Sequence, residues 1–271
     1  MHKIVSLLRF GISIVITGCT RGIGLCYAQE LAKRGMNLIL IGRNEKTLQD
    51  ISKQIENQHK VETIVLAVNF ANGPEMYEDI KPIIDGKDIG MLVNNVGVIP
   101  PYPMYFEETP EATIWDIVKV NMAACTMMTK IVLPILVKKN KGVIVNLSSS
   151  AAIDPQPLQG IYTASKAYVS YFSRALAYEY PKLTIQTVNP MYVCTDMVAF
   201  SDTLNKPSIF VPSAETFVKQ AVSTIGFASC TTGYWSHSLQ TALMGCLPIP
   251  KIAISKLMND AFRSRYLKKS K

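Results

Sequence analysis

The stretch Ile12-Ser-Ile-Val-Ile-Thr17-Gly18-Cys-Thr-Arg-Gly22-Ile-Gly24 decides the fold of this 271-residue chain. Ile12 to Thr17 is a short, β-branched apolar run and reads as a buried strand. Helical spacing follows from Leu25 to Arg34. Strand, glycine turn and helix in that order form the context a dinucleotide-binding turn requires. Glycines let the backbone approach a pyrophosphate, and the helix N-terminus adds N–H donors and positive dipole. The spacing is Gly-x-x-x-Gly-x-Gly rather than Gly-x-Gly-x-x-Gly. On this reading Gly18, Thr20, Arg21, Gly22, Ile23 and Gly24 cradle a cofactor.

The pattern alternates outward from there. Strands read at 12–17, 37–41, 62–68, 91–94, 142–147, 184–188 and, weakly, 233–235. Helices read at 23–33, 44–57, 75–84, 111–138, 162–180 and 213–224. Alternation of this kind implies an α/β fold: a single-domain Rossmann-type doubly wound parallel sheet of about seven strands with right-handed crossovers. Residues 1–271 form one domain, in which 191–257 carries the substrate-binding loop and an apolar C-terminal segment. Ligands bind beyond the carboxyl ends of such strands.

A second constellation falls at one of those ends. Tyr162 and Lys166 lie four residues apart on a predicted helix, so they share a face. An ammonium beside a phenol stabilises phenolate and is expected to lower its pKa from about 10. Tyr162 then becomes a proton donor and acceptor. Ser149 lies thirteen residues upstream, and the spacing selects it over Ser148 and Ser150. A Tyr-x-x-x-Lys alone is commonplace on helices. Its coincidence with the glycine turn gives it weight. Arg43 sits just past the second predicted strand, where an acid would favour NAD and a cation the 2′-phosphate of NADP. With Arg21 as the other half of a clamp, the cofactor is expected to be NADPH/NADP+.

These residues resemble the short-chain dehydrogenase/reductase family over nearly the whole chain. Further matches are Asn94-Asn95-Val96-Gly97, Asn121, and Asn189-Pro190-Met191 through Thr195. The likeness is strongest to the 17β-hydroxysteroid dehydrogenase and very-long-chain 3-oxoacyl-CoA reductase branch, including its hydroxysteroid dehydrogenase-like members. It is carried by 94–103, 165–168, 172–176 and 231–237. The resemblance implies hydride transfer from NADPH to a ketone, with Tyr162 as general acid and Ser149 bonding the carbonyl oxygen. It implies that Lys166 holds the nicotinamide ribose and that Asn121 holds a water linking Lys166 to solvent. Asn69, Asn95, Gly97, Pro190, Val193 and Thr195 would complete the cofactor site, with Thr195 on the carboxamide. Asn69 departs from the family's aspartate, though an amide oxygen still accepts a hydrogen bond. Asn94 reads equally as structural or binding. Vertebrate members of the hydroxysteroid dehydrogenase-like group carry phenylalanine at the tyrosine position. Tyr162 is present here, so inactivity is not carried over. A catalytically weak, cofactor-binding regulatory or scaffold protein is the alternative.

Composition narrows the rest. Six cysteines show no C-x-x-C pairing, and His2, His59 and His237 have no ligand spacing, so no metal is expected. The net charge of +8 comes partly from Lys138, Lys139, Lys141, Lys268, Lys269 and Lys271. It reads as solvated helix ends or as attraction to anions. No aromatic-basic interleaving points to nucleic acid. No apolar run of about twenty residues is evident. Val98–Phe106 and the segment holding Met191, Tyr192, Val193, Met197, Val198, Phe200, Ile209 and Phe210 are expected to receive a lipid-like ketone, steroid or 3-oxoacyl. A homodimer is expected on the helices 111–138 and 162–180, from Tyr168, Tyr171, Phe172 and Leu176. Leu239–Leu257, broken by Pro248 and Pro250, reads as a peripheral membrane contact. The terminal lysines point to the cytosolic face of the endoplasmic reticulum, with mitochondrion or cytosol as alternatives.

Overall fold

The computed structural model describes residues 12–198, 201–246 and 250–269. Seven parallel strands lie in the order β3-β2-β1-β4-β5-β6-β7. They are β1 (Ser13–Thr17), β2 (Asn37–Gly42), β3 (Thr63–Ala67), β4 (Ile89–Asn94), β5 (Val143–Leu147), β6 (Thr184–Val188) and β7 (Cys230–Thr231). The order reverses between β1 and β4, which makes their carboxyl ends the switch point where such sheets bind ligands.

Helices cover both faces, so the inner strands are apolar at successive positions rather than alternating. On one side α1 (Gly22–Ala32), α2 (Glu45–His59) and α6 (Ala214–Ser223) pack Tyr27, Leu48 and Phe217 against Ile14, Ile16 and Leu38. On the other, α3 (Met76–Ile84), α4 (Glu111–Lys138) and α5 (Gly160–Glu179) pack Ile80, Met128 and Leu176 against Val15, Ile39 and Leu92. Neighbouring residues Ile14, Val15 and Ile16 thus feed opposite cores, as the strand period requires. Buried amides tie the layers. The Asn94 amide donates to Asn146 Oδ1 at 2.8 Å and Thr129 Oγ1 at 3.0 Å, and Asn146 donates to Ser173 Oγ at 2.8 Å. Asn94 is therefore a structural residue behind the site.

Three readings need correction. The weak strand at 233–235 is displaced to Cys230–Thr231, which pairs with Thr187 and Val188. Gly233 has φ +76° and lies so close to Phe217 that an added Cβ would fall within 2.9 Å, so the chain turns there, and Trp235 begins a helix. The broken apolar stretch is two helices, α7 (Trp235–Cys246) and α8 (Lys251–Lys269). Pro250 stands just before α8, where proline's missing N–H costs nothing, and its carbonyl accepts from Ile254 N–H at 3.0 Å. Pro248 lies outside the described residues, as do Met1–Gly11, Phe200, Ser270 and Lys271. Finally, α4 is long and apolar enough to cross a membrane by length and composition, an 18-residue window of it having mean hydropathy 1.7. Its Met128, Val132 and Leu136 are fully buried against the sheet, so here it is a core helix.

Candidate active site

The carboxyl ends of the strands open into a cleft of about 860 Å³. One end is built by the glycine turn. Gly18 and Gly22 hold φ of +69° and +56°, a region that side chains disfavour. Gly24 is required for another reason: a Cβ there would sit 2.3 Å from Gly18 O and 2.4 Å from Asn95 Nδ2. Asn95 Nδ2 donates to Thr17 O and Gly18 O, both at 3.0 Å, and Thr17 Oγ1 accepts from the Asn95 and Val96 N–H groups. These bonds lock the end of β1 to the end of β4 with α1 pressed against both. The first turn of α1 has neither a side-chain cap nor an acidic residue, and Gly22 and Ile23 line the cleft. Uncapped N–H groups beside a cradle that any Cβ would fill suit a pyrophosphate.

The remaining cofactor candidates gather around this end. Thr20 packs over Gly42, and Arg43 is exposed on the same rim. Asn69 Oδ1 accepts from Ala71 N–H at 3.2 Å and keeps a second lone pair. Across the cleft, Pro190 O accepts from Ser150 N–H at 2.9 Å, Val193 is buried, and the Thr195 methyl packs against Gly22. Arg21 departs from the expected clamp. Its guanidinium pairs with Asp196 at 3.0 Å and spans the mouth toward the segment after β6, while both side chains stay largely exposed.

The chemical end lies on β5 and α5. Ser149 and Tyr162 line the cleft together, the Ser149 side chain close enough to act on the phenol, and Ser149 Oγ accepts from Ala151 N–H at 3.1 Å. Ser148 points inward instead, donating to Lys166 O at 2.7 Å. Lys166 Nζ donates to Leu147 O at 3.0 Å and stands 5.9 Å from the Tyr162 ring centre. Asn121 occupies a π-helical turn, Val118–Ala123, inside α4. Such a turn swings a side chain out of helical register. Its Oδ1 accepts from Val98 N–H at 2.8 Å, and its amide donates to Val98 O and Ser165 Oγ. One Oδ1 lone pair remains, beside Gly97 and Lys166 Nζ.

The expected lowering of the Tyr162 pKa is not what this environment produces. Burial pushes the phenol up to about 12, and the Ser149 side chain only partly opposes it. Burial likewise pulls the Lys166 ammonium down to about 8. Near neutrality the phenol is therefore protonated and the lysine charged, the state a proton donor with a cationic neighbour needs.

The far end is apolar. Of the predicted substrate residues, Val98, Ile99, Pro100, Pro101, Met191, Tyr192, Val193, Met197 and Val198 line it, whereas Ile209 and Phe210 lie exposed outside. Sequence reasoning missed the roof, α8. Ile254, Met258, Asn259 and Tyr266 face the cleft, and α8 is fastened across it by Asn259 to Pro157 O at 2.8 Å and by Tyr266 stacked on Tyr102 at 4.4 Å. The signal was the helical spacing of Ile254 and Met258. His237 was missed too: fully buried, its Nδ1 accepts from Met191 N–H at 3.3 Å and holds the segment after β6. Burial lowers its pKa, which preserves that accepting neutral form.

A profile of the family described as short chain dehydrogenase matches residues 13–205. The chain belongs to that family. This short-chain dehydrogenase is 46% identical over 242 residues to inactive hydroxysteroid dehydrogenase-like protein 1 of Homo sapiens, covering 89% of this chain and 73% of that protein. It is 41% identical over 269 residues to very-long-chain 3-oxoacyl-CoA reductase of Rattus norvegicus, covering 97% and 84%. A short-chain dehydrogenase from Sphingobium yanoikuyae, solved with NADPH, shares the fold with TM-score 0.74 at 24% identity, over 88% of this chain and 97% of that one. Family membership assigns the cleft to a nicotinamide dinucleotide.

Because a Cβ at Gly24 would meet the Gly18 backbone as well as the Asn95 amide that is bonded to Thr17 and Gly18, Gly24→Ala is expected to displace the turn. Dinucleotide affinity measured by calorimetry should fall by about tenfold or more. An unchanged affinity would separate the glycine turn from cofactor binding.

Proposed function

We propose that this short-chain dehydrogenase reduces a hydrophobic ketone, of the steroid 17-keto or 3-oxoacyl-CoA type, to the alcohol with NADPH. The observation that carries the reading is the Ser149–Tyr162 pair beside the buried Lys166, set between a dinucleotide cradle and an apolar pocket. A reduced nicotinamide supplies the hydride when bound. Ser149 then orients the carbonyl oxygen and Tyr162 hands its phenolic proton to that oxygen. The Lys166 charge stabilises the phenolate left behind, and Asn121 fixes the wall beside Lys166 through Val98 and Ser165. Arg43, exposed on the adenosine rim with no acid at Gly42, supports NADPH over NADH. Arg21 would join it only by leaving Asp196.

The competing reading is a cofactor-binding regulatory or scaffold protein, favoured by the word inactive in the name of one relative. NADPH oxidation against a panel of lipid ketones separates the two. Tyr162→Phe is expected to lower that rate by roughly 10²–10⁴-fold while NADPH still binds. Near-normal turnover in this variant would remove Tyr162 from the chemistry.

For the cofactor, Arg43→Asp should erase the preference for NADPH over NADH, since a charge-assisted pair is worth about 1.5–3 kcal/mol. Equal affinity of the native chain for both cofactors would contradict the assignment.

The assembly proposed is a homodimer on the outer faces of α4 and α5. Leu176 belongs to the core and Tyr168 bonds Thr126 at 2.7 Å within the chain. The support is therefore Trp115, Tyr171 and Tyr178, which stand exposed on those helices. Light scattering at micromolar concentration should give twice the chain mass, and a monomer would refute it.

A further inference from the structure

The helix α7 contains no Lys, Arg, Asp or Glu. Trp235, Leu239, Leu243 and Cys246 recur on it at steps of three or four residues and are all exposed. On α8 one face runs Ile254, Leu257, Ala261, Arg265, Lys268, so an apolar half passes into a basic half. The loop 201–211 joins the two helices. Phe210 O accepts from Gln240 of α7 at 3.4 Å, and Asp202 pairs with Lys269 of α8 at 2.6 Å. Lys206 and Arg265 also surround Asp202, so this corner keeps a positive balance. The cleft opens within the same surface: Met197, Met244, Ile254 and Met258 line its mouth and are each more than a third exposed.

An exposed apolar band, an aromatic residue at its edge and a flank of cations match the chemistry of an anionic lipid surface. We infer that the α7–α8 face docks on an anionic bilayer, with Leu243 and Leu257 among the acyl chains and Lys206, Arg265 and Lys268 at the headgroups. The mouth of the cleft then faces the membrane, and an apolar substrate passes from lipid to pocket without crossing water. A second copy of the chain on this face would seal that mouth and oppose cations to cations, so lipid is the occupant the geometry favours. The inference shares the apolar-ketone reading's view of the substrate, but binding to lipid stands apart from turnover. A chain that docks yet oxidises no NADPH would keep this inference and lose that reading.

The test is sedimentation of the full chain with vesicles of phosphatidylcholine alone and of phosphatidylcholine mixed with phosphatidylserine. Native protein should sediment with the mixed vesicles and lose binding as salt rises. The pair Leu243→Glu and Leu257→Glu, and separately the pair Arg265→Glu and Lys268→Glu, should each weaken partitioning by about tenfold or more. All four residues are exposed, and circular dichroism melting checks that each variant is folded. With Trp115→Phe in place, Trp235 is the only tryptophan left of two, and its fluorescence should be quenched by brominated acyl chains. Native protein that stays in the supernatant with both vesicle types overturns the inference. So do variants that sediment like native protein, or an unquenched Trp235. A dimer that the leucine pair converts to monomer, without vesicle binding, would assign the face to a second copy instead.

Discussion

The approach of α1 to the ends of β1 and β4 is the constraint on which the rest depends. Gly24 leaves no space for a Cβ between Gly18 O and Asn95 Nδ2, so the helix start is pressed onto the strand ends. Asn95 and Thr17 then hold the two strands in register with that contact. The uncapped N–H groups of α1 are aimed into the cleft by packing, at no cost in mobile side chains. The segment after β6 packs on the same turn through Thr195 and Gly22, so the cofactor end and the substrate loop share one hinge of contact.

Burial sets the chemistry at the other end. Taking Tyr162 and Lys166 out of water disfavours the charged form of each, which moves the phenol up and the ammonium down. The unfolded chain holds the Lys166 proton more tightly, so keeping it charged costs stability. That cost is fully present below about pH 8 and fades as pH rises toward the lysine value of 10.5. The result near neutrality is a protonated phenol next to a retained cation. The bond from Nζ to Leu147 O fixes where the cation stands.

The apolar end of the cleft is built by elements appended to the sheet. α8 crosses from the loop before α5 to the loop after β4, fastened by Asn259 and Tyr266, with Arg263 paired to Glu108 at the rim. The same helices roof the pocket and present the outer apolar face. Pocket and surface are thereby one construction, since a residue such as Ile254 or Met258 belongs to both.

The sequence by itself determined the doubly wound sheet, the glycine turn and the trio of Ser149, Tyr162 and Lys166. Each of these is written in local terms: β-branched runs for buried strands, glycines where the backbone must be bare, and a four-residue step along one helix. The tertiary structure alone decided what depends on distant partners. It turned Arg21 toward Asp196, 175 residues away, and placed Asn94 behind the site rather than in it. It reversed the expected sense of the Tyr162 shift, because desolvation depends on everything packed around a group and not on its neighbour four residues along. It also moved the last strand back to Cys230–Thr231, where a two-residue element carries too little pattern to be read. The roof formed by α8 escaped for the same reason. An apolar face on a helix says that something covers it, and only the folded chain says what.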